Sequence, residues 1–214
     1  MILVCFAVKE EARFFKPAAG SQQIRKLLTG IGRNNAEKAV HTVLAQQKPR
    51  LVLSCGFAGG LRPELPTGSV IFSVDAETGL ESLLSRAGAK PARFHCLDRV
   101  ATTVQEKRVL WQATNADAVE MESQIICACC RDQAIPSGTV RVILDTASED
   151  LPLDFNEMMT ANQRMDYAKL AMAFVKAPGK LSALRRLQKQ SAEAAERLAD
   201  ILDKVLNPLL AQEH

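Results

Sequence analysis

The 214-residue chain predicts a single α/β domain over residues 1–214. Its core is a central mixed, mostly parallel β-sheet flanked by helices, and a long amphipathic C-terminal helix spans about residues 178–207. Three observations predict this. Short apolar runs alternate with stretches of helical period from the first residue to about 145, the pattern of strand–helix–strand units. Residues 118–150, AVEMESQIICACCRDQAIPSGTVRVILDTASED, read as apolar step, helix, Pro-Ser-Gly turn and near-continuous apolar strand. That order implies a right-handed crossover within a parallel sheet. In the tail, Leu184, Leu187, Ser191, Ala194, Leu198, Ile201, Leu202 and Val205 recur at helical spacing.

Composition narrows the function. A length of 214 residues suffices for a full core, and 47% hydrophobic with 24% charged residues is ordinary for a globular protein. A net charge of +3 and 5% aromatics argue against nucleic-acid binding. MILVCFAVKEEARFF lacks a basic leader region and enters two glutamates at once, so no signal peptide is expected and the location is read as cytoplasmic. No run has the length of a membrane span. The six cysteines show no disulfide or zinc spacing, so they are expected to be reduced thiols, with no metal and no organic cofactor.

In chain order, residues 2–8 form an apolar strand, and 9–13 turn into a short helix carrying Phe14 and Phe15. Residues 24–29 make a second strand, which ends in a Gly30-Ile31-Gly32 turn before a helix over 36–46. Residues 51–53 are buried strand running into a glycine-rich loop, where Gly56 lets backbone approach a ligand. Strands are expected over 68–73 and 94–100, with short helices at 80–84 and 104–114. His95 is read as a strand residue and Trp111 as packing. A final strand occupies 139–144, and a helix starts at 154–155.

Carboxylates mark the site. Glu120, Glu122 and Asp145 fall at strand ends, where ligand crevices of parallel sheets lie, and Glu11 follows the end of the first strand. Like charges gathered there oppose folding. Taken singly, Glu120 could cap a helix, Asp145 begin a turn and Glu11 serve a helix N-terminus. Taken together they mark a site.

VEMES followed by RVILDTAS resembles the nucleoside phosphorylase and nucleosidase superfamily, and the glycine turn and the GFAGG strand end extend the resemblance. It implies a nucleoside phosphorylase-like fold, a homodimer, and cleavage of the N-glycosidic bond of a purine, adenine-type nucleoside. Asp145 would be the general acid and Glu11, with Glu10 as the lesser candidate, the base that activates water. The substrate wall would comprise Val119, Glu120, Met121, Glu122, Gly56, Phe57 and Phe155. Phe57 stands where the nucleosidases carry serine, and Val100 replaces an expected aromatic. Phe155 matches an aromatic that closes over the ribose 5′ side, and reads equally well as a hydrophobic staple. The shortened middle and the tail resemble the hopanoid-associated phosphorylase branch, which implies a bulky or lipid 5′ substituent and peripheral membrane contact through the last helix. The alternative for that helix is packing on the domain.

The chemistry fits these residues. The departing purine needs a proton, which asks for an acid whose pKa burial or neighbouring carboxylates have raised. An ionised Glu122 can accept from both ribose hydroxyls, and Met121 offers a polarizable surface to the sugar. Water is expected as nucleophile over phosphate, because Glu10 and Glu11 repel a dianion and Leu51 stands where the hexameric phosphorylases carry arginine. Arg33 and Arg13 are the remaining phosphate candidates. A phosphate-dependent purine nucleoside phosphorylase and a non-catalytic nucleoside-binding protein are the alternatives.

Overall fold

The computed structural model describes residues 1–17, 23–160, 179 and 181–211. Eight strands form one mixed sheet: β1 (Ile2–Phe6), β2 (Ile24–Leu28), β3 (Leu51–Gly60), β4 (Val70–Val74), β5 (Lys90–Pro91), β6 (Phe94–Cys96), β7 (Ala118–Glu120) and β8 (Ser137–Asp145). The main path runs β2-β1-β3-β8-β4-β5, with β7 paired to β3 and to β6. The helices are α1 (Arg33–Leu44), α2 (Glu81–Arg86), α3 (Val104–Thr114), α4 (Ser123–Arg131) and α5 (Leu181–Ala211).

The central strands read as unbroken apolar runs because both faces are covered. In β1, Ile2, Val4 and Phe6 enter a core completed by β8 and the second half of α5. The intervening Leu3 and Cys5 face the opposite core, with Val40 and Val43 of α1 and Ile126 and Cys130 of α4. From Ala194 on, α5 is driven into the first core by Leu198, Leu202, Val205 and Leu206. The tail's apolar stripe is therefore domain core over this half. No helix among the described residues is long and apolar enough to cross a membrane.

Several expectations need correction. β7 pairs antiparallel with β3, whereas β8 pairs parallel with it, so β7-α4-β8 is not a parallel crossover. The three-residue β7 meets β3 only at Gly59 and Gly60, the far end of that strand, and pairs on its other side with β6. β3 does not stop at residue 53. It runs ten residues through its glycines, because β8 supplies a partner along its length. Residues 8–14 are turns, not helix, held by the Glu11 carboxylate accepting from the backbone N–H groups of Ala7 and Val8. The strand at 94 ends at Cys96, and residues 155–158 are turn, with Asn156 bonded back to Asp154 and Val100. Pro208 lies within the last turns of α5, which continues to Ala211, and does not end it. Residue 178 lies outside the described residues.

Candidate active site

Two charged assemblies share one cavity of about 450 Å³. The first is built on the end of β1, the middle of β3 and the start of α4. Glu11 is buried, and its carboxylate accepts three backbone N–H groups, from Ala7 (2.8 Å), Val8 (3.2 Å) and Phe57 (2.8 Å). Burial pushes its pKa up, against the opposing pull of Arg141 and these donors. Glu120 accepts from Ser123 N–H (2.8 Å), Ser123 Oγ (2.7 Å) and Glu122 N–H (3.0 Å), so it does cap α4. Glu122 reaches the other way: its Oε1 accepts from Gly32 N–H at 2.8 Å. Gly32 has φ 82° and is the N-cap of α1. The glycine turn thus presents a helix N-terminus to a carboxylate, a favourable pairing with the helix dipole.

Arg141 binds these acids together. It is 1% exposed, at the centre of β8. Its Nη2 donates to Glu120 Oε2 (2.6 Å), Ser54 Oγ (3.0 Å) and Glu122 Oε2 (3.4 Å). Burial alone would weaken the charge of Arg141, but Glu120, Glu122 and Glu11 raise its pKa above the ordinary arginine value. Burial works against ionisation of Glu120 too, yet Arg141 and the Ser123 donors hold its pKa below the usual range. Glu122 is pushed up to about 7 by burial, against Arg141 and with the repulsion of Glu120 and Glu11. Gly56 makes the meeting of Glu11 and Arg141 feasible. A side chain there would overlap both Glu11 Oε1 and an Arg141 guanidinium nitrogen.

The second assembly is Asp145 with Lys107. Asp145 ends β8 and lies 2.5 Å from Lys107 Nζ. A bulge between Ala58 and Gly59 shifts the register, so that Gly59 faces Asp145 while Ala58 faces Ile143. The extra residue, Leu144, breaks strand alternation, and both Leu144 and Asp145 line the cavity. Burial raises the Asp145 pKa, opposed by Lys107.

Of the residues expected from sequence, Glu11, Glu10, Phe57, Val119, Glu120, Met121, Glu122, Asp145 and Phe155 line this cavity, as does Val100. Gly56 does not. It lies behind the wall, with the Glu11 and Arg141 side chains against it. Arg33 and Arg13 are exposed and line no part of the cavity, and Arg13 stacks over the Phe14 ring at 5.1 Å. Leu51, the first residue of β3, is at the opposite end of that strand from Gly59 and cannot report on phosphate binding here. His95 lies in β6, and Trp111 packs near Leu61 and Val119. Among the described residues no group of three or more His, Cys, Asp or Glu side chains is placed to hold a metal ion. All six cysteines are free thiols.

Sequence reading missed Arg141 and Lys107. The signal for Arg141 was a lone charge inside the apolar run VRVIL, since a charge in a strand covered on both faces must find partners. Lys107 gave none, because lysine on a helix is ordinarily solvated.

Fold and site together define an α/β protein of the nucleoside phosphorylase and nucleosidase type. The family model described as Phosphorylase superfamily matches residues 5–95 and 89–207, and the chain belongs to that superfamily. A 5′-methylthioadenosine/S-adenosylhomocysteine nucleosidase of Marinomonas sp. is 28% identical over 181 residues, covering 68% of this chain and 78% of that protein. The enzyme of the same name from Exiguobacterium sp. is 23% identical over 197 residues, 76% of this chain and 84% of its own. Among solved structures, S-adenosylhomocysteine nucleosidase of Streptococcus pyogenes in complex with 5-methylthiotubericidin superposes with TM-score 0.69 at 16% identity, over 97% of this chain and 96% of that one. Futalosine hydrolase of Helicobacter pylori superposes with TM-score 0.65 at 18% identity, over 95% and 97%.

Proposed function

We propose that this protein is an N-glycoside hydrolase that releases adenine or a related purine from a nucleoside with an apolar 5′ substituent. One observation carries the reading: a single cavity is lined by a buried acid, Asp145, and by two further buried carboxylates, Glu11 and Glu122, fixed by backbone N–H groups. As C1′–N9 breaks, the electron pair moves into the purine and Asp145 gives the ring a proton. Glu11 takes a proton from the attacking water. Glu122, when ionised, accepts from the ribose hydroxyls and faces the positive charge that develops on the sugar. Met121 and Phe57 supply apolar surface.

Charge favours water over phosphate. Glu10, Glu11, Glu120, Glu122 and Asp145 line the cavity, and the one cationic side chain among its described lining residues, Arg99, is already paired with Glu106 at 2.5 Å. Arg141 is committed to Ser54, Glu120 and Glu122. Among the described lining residues a dianion would find repulsion and no clustered cationic donors. Val8, Ile31, Leu151, Phe155, Met159 and Leu187 add an apolar remainder to the cavity, which supports an apolar group on the ribose 5′ carbon, consistent with the nucleosidase names among the relatives. A homodimer in the cytoplasm is the expected setting. Burial of α5 from Ala194 onward favours packing over lipid contact for that half of the helix.

Product analysis with and without inorganic phosphate tests the reaction. Equal rates of adenine release with free sugar as co-product are expected. Release that needs phosphate and yields a sugar 1-phosphate would overturn hydrolysis, and no release from any 5′-substituted adenosine would overturn the enzyme reading. Light scattering tests the dimer.

A further inference from the structure

The acid of the proposed reaction is backed by a cation that the reaction scheme does not require. Lys107, on α3, is 0% exposed and does not line the cavity, whereas Asp145 does. Its Nζ has three oxygen neighbours: Glu149 O at 2.6 Å, Thr146 O at 2.8 Å and Asp145 Oδ2 at 2.5 Å. The ammonium donates to the two carbonyls, and its contact with Asp145 Oδ2 is an ion pair. Placing a lysine in a dry interior carries the desolvation penalty of any buried ion, and an apolar residue would close the same gap between α3 and β8 without it. A fully enclosed cation against the one carboxyl assigned to the leaving group therefore points to function.

We propose that Lys107 is a positioning residue for glycosidic cleavage, whose ammonium orients Asp145 from behind the cavity wall and makes its carboxyl a stronger proton donor. The inference rests on the assignment of Asp145 as leaving-group acid. Burial alone would leave Asp145 a very weak acid, slow to release its proton to a purine nitrogen. A positive charge in contact with it opposes that effect. The charged groups facing Asp145 are Lys107 from α3 and Glu149 from the following loop. The Glu149 carboxylate is held by Thr146 N–H (3.1 Å) and Oγ1 (3.0 Å), and Arg186 of α5 also acts on it. Glu149 raises the Asp145 pKa, so Lys107 supplies the one opposing charge among these groups. During the reaction the Asp145 proton passes to the purine, and the carboxylate left behind is paired with Lys107 at once.

The rival account is a clip, in which Lys107 serves only to tie the 146–149 loop to α3. The pH profile separates the two. K107M removes the charge while keeping a long unbranched side chain. Turnover requires the protonated acid, so kcat falls as pH rises through its titration. In K107M that alkaline limb should move up by about 1 pH unit or more, the usual effect of losing an opposite charge in contact. The plateau kcat should fall by about tenfold or more as the acid weakens. K107R should restore the parent limb. In a D145N background K107M should cause little further loss, since its effect acts through Asp145. An unmoved limb in K107M, or an equal further loss in D145N, would overturn the proposal. K107Q carries the same test if K107M does not fold, because it retains donors for the two carbonyls without the charge. Failure of both to fold would establish the clip and overturn the proposal. An inactive parent, or D145N as fast as the parent, would instead sink the underlying assignment of Asp145.

Discussion

Replacing Arg141 by methionine removes the one charge that three buried acids share. Glu120, Glu122 and Glu11 all act on this guanidinium, which is 1% exposed and donates to two of them directly. Removing one partner of a buried ion pair typically costs about 3–5 kcal/mol, because the other charge stays buried without compensation. For a domain of this size each kcal/mol is about 2–4 °C, so R141M should melt about 6–20 °C below the parent near neutral pH. The deficit should depend on pH with a definite sign. Without Arg141 the folded-state pKa values of all three glutamates rise, those of Glu11 and Glu122 further above their unfolded values and that of Glu120 upward from below its own. Between those values the folded state holds protons that the unfolded state has released, so stability falls as pH rises. Acidification to about pH 5, near the unfolded glutamate value of about 4.3, should therefore recover part of the loss. Adding E120Q to R141M should recover part of it at neutral pH. Thermal melts of the three proteins across this range give the measurement. A deficit under about 2 °C, or one that grows on acidification, would refute the view that Arg141 neutralises the cluster.

Three further outcomes are expected. D145N should bind purine but lose at least roughly a hundredfold in kcat, the scale of general acid catalysis, in a stopped assay for free base. Glu122, raised to about 7, must be ionised to accept from two hydroxyls, so KM for ribosides should climb as pH drops below that value. E122Q should flatten this dependence and discriminate less against 2′-deoxyribosides, and unchanged discrimination would remove Glu122 from the sugar. Leu202→Ala should cost about 2–5 kcal/mol by chemical denaturation, because the side chain is 0% exposed in the core beneath β8. Near-parental stability would show that the second half of α5 packs elsewhere.

The α/β class, the long last helix and the extent of α3 were readable in the chain because they depend on local periodicity. The acids were readable because three carboxylates beside apolar runs oppose folding unless they are used. What could not be read was pairing. Nothing local tells that the short β7 joins β3 antiparallel, since this depends on β3 outrunning β1 by several residues. Gly32 and Glu122, ninety residues apart, were noticed separately, as a turn and as an acid, and their contact arises only when α1 and α4 pack side by side. Arg141 and Lys107 were hidden for the same reason: the partners that make each cation tolerable lie on other elements.

The bulge in β3 and β8 has a mechanical consequence. Glu11 hangs from the N–H of Phe57, and Asp145 is paired with Gly59, two residues further along the same strand. Both residues are thus anchored to one strand, at points about 6–7 Å apart along its axis at the usual rise of a strand. Rearrangement of the surrounding loops would leave that spacing unchanged. On the proposed assignment these anchor points act as a fixed calliper, and selectivity for ring and sugar would come from what fits between jaws that do not adjust.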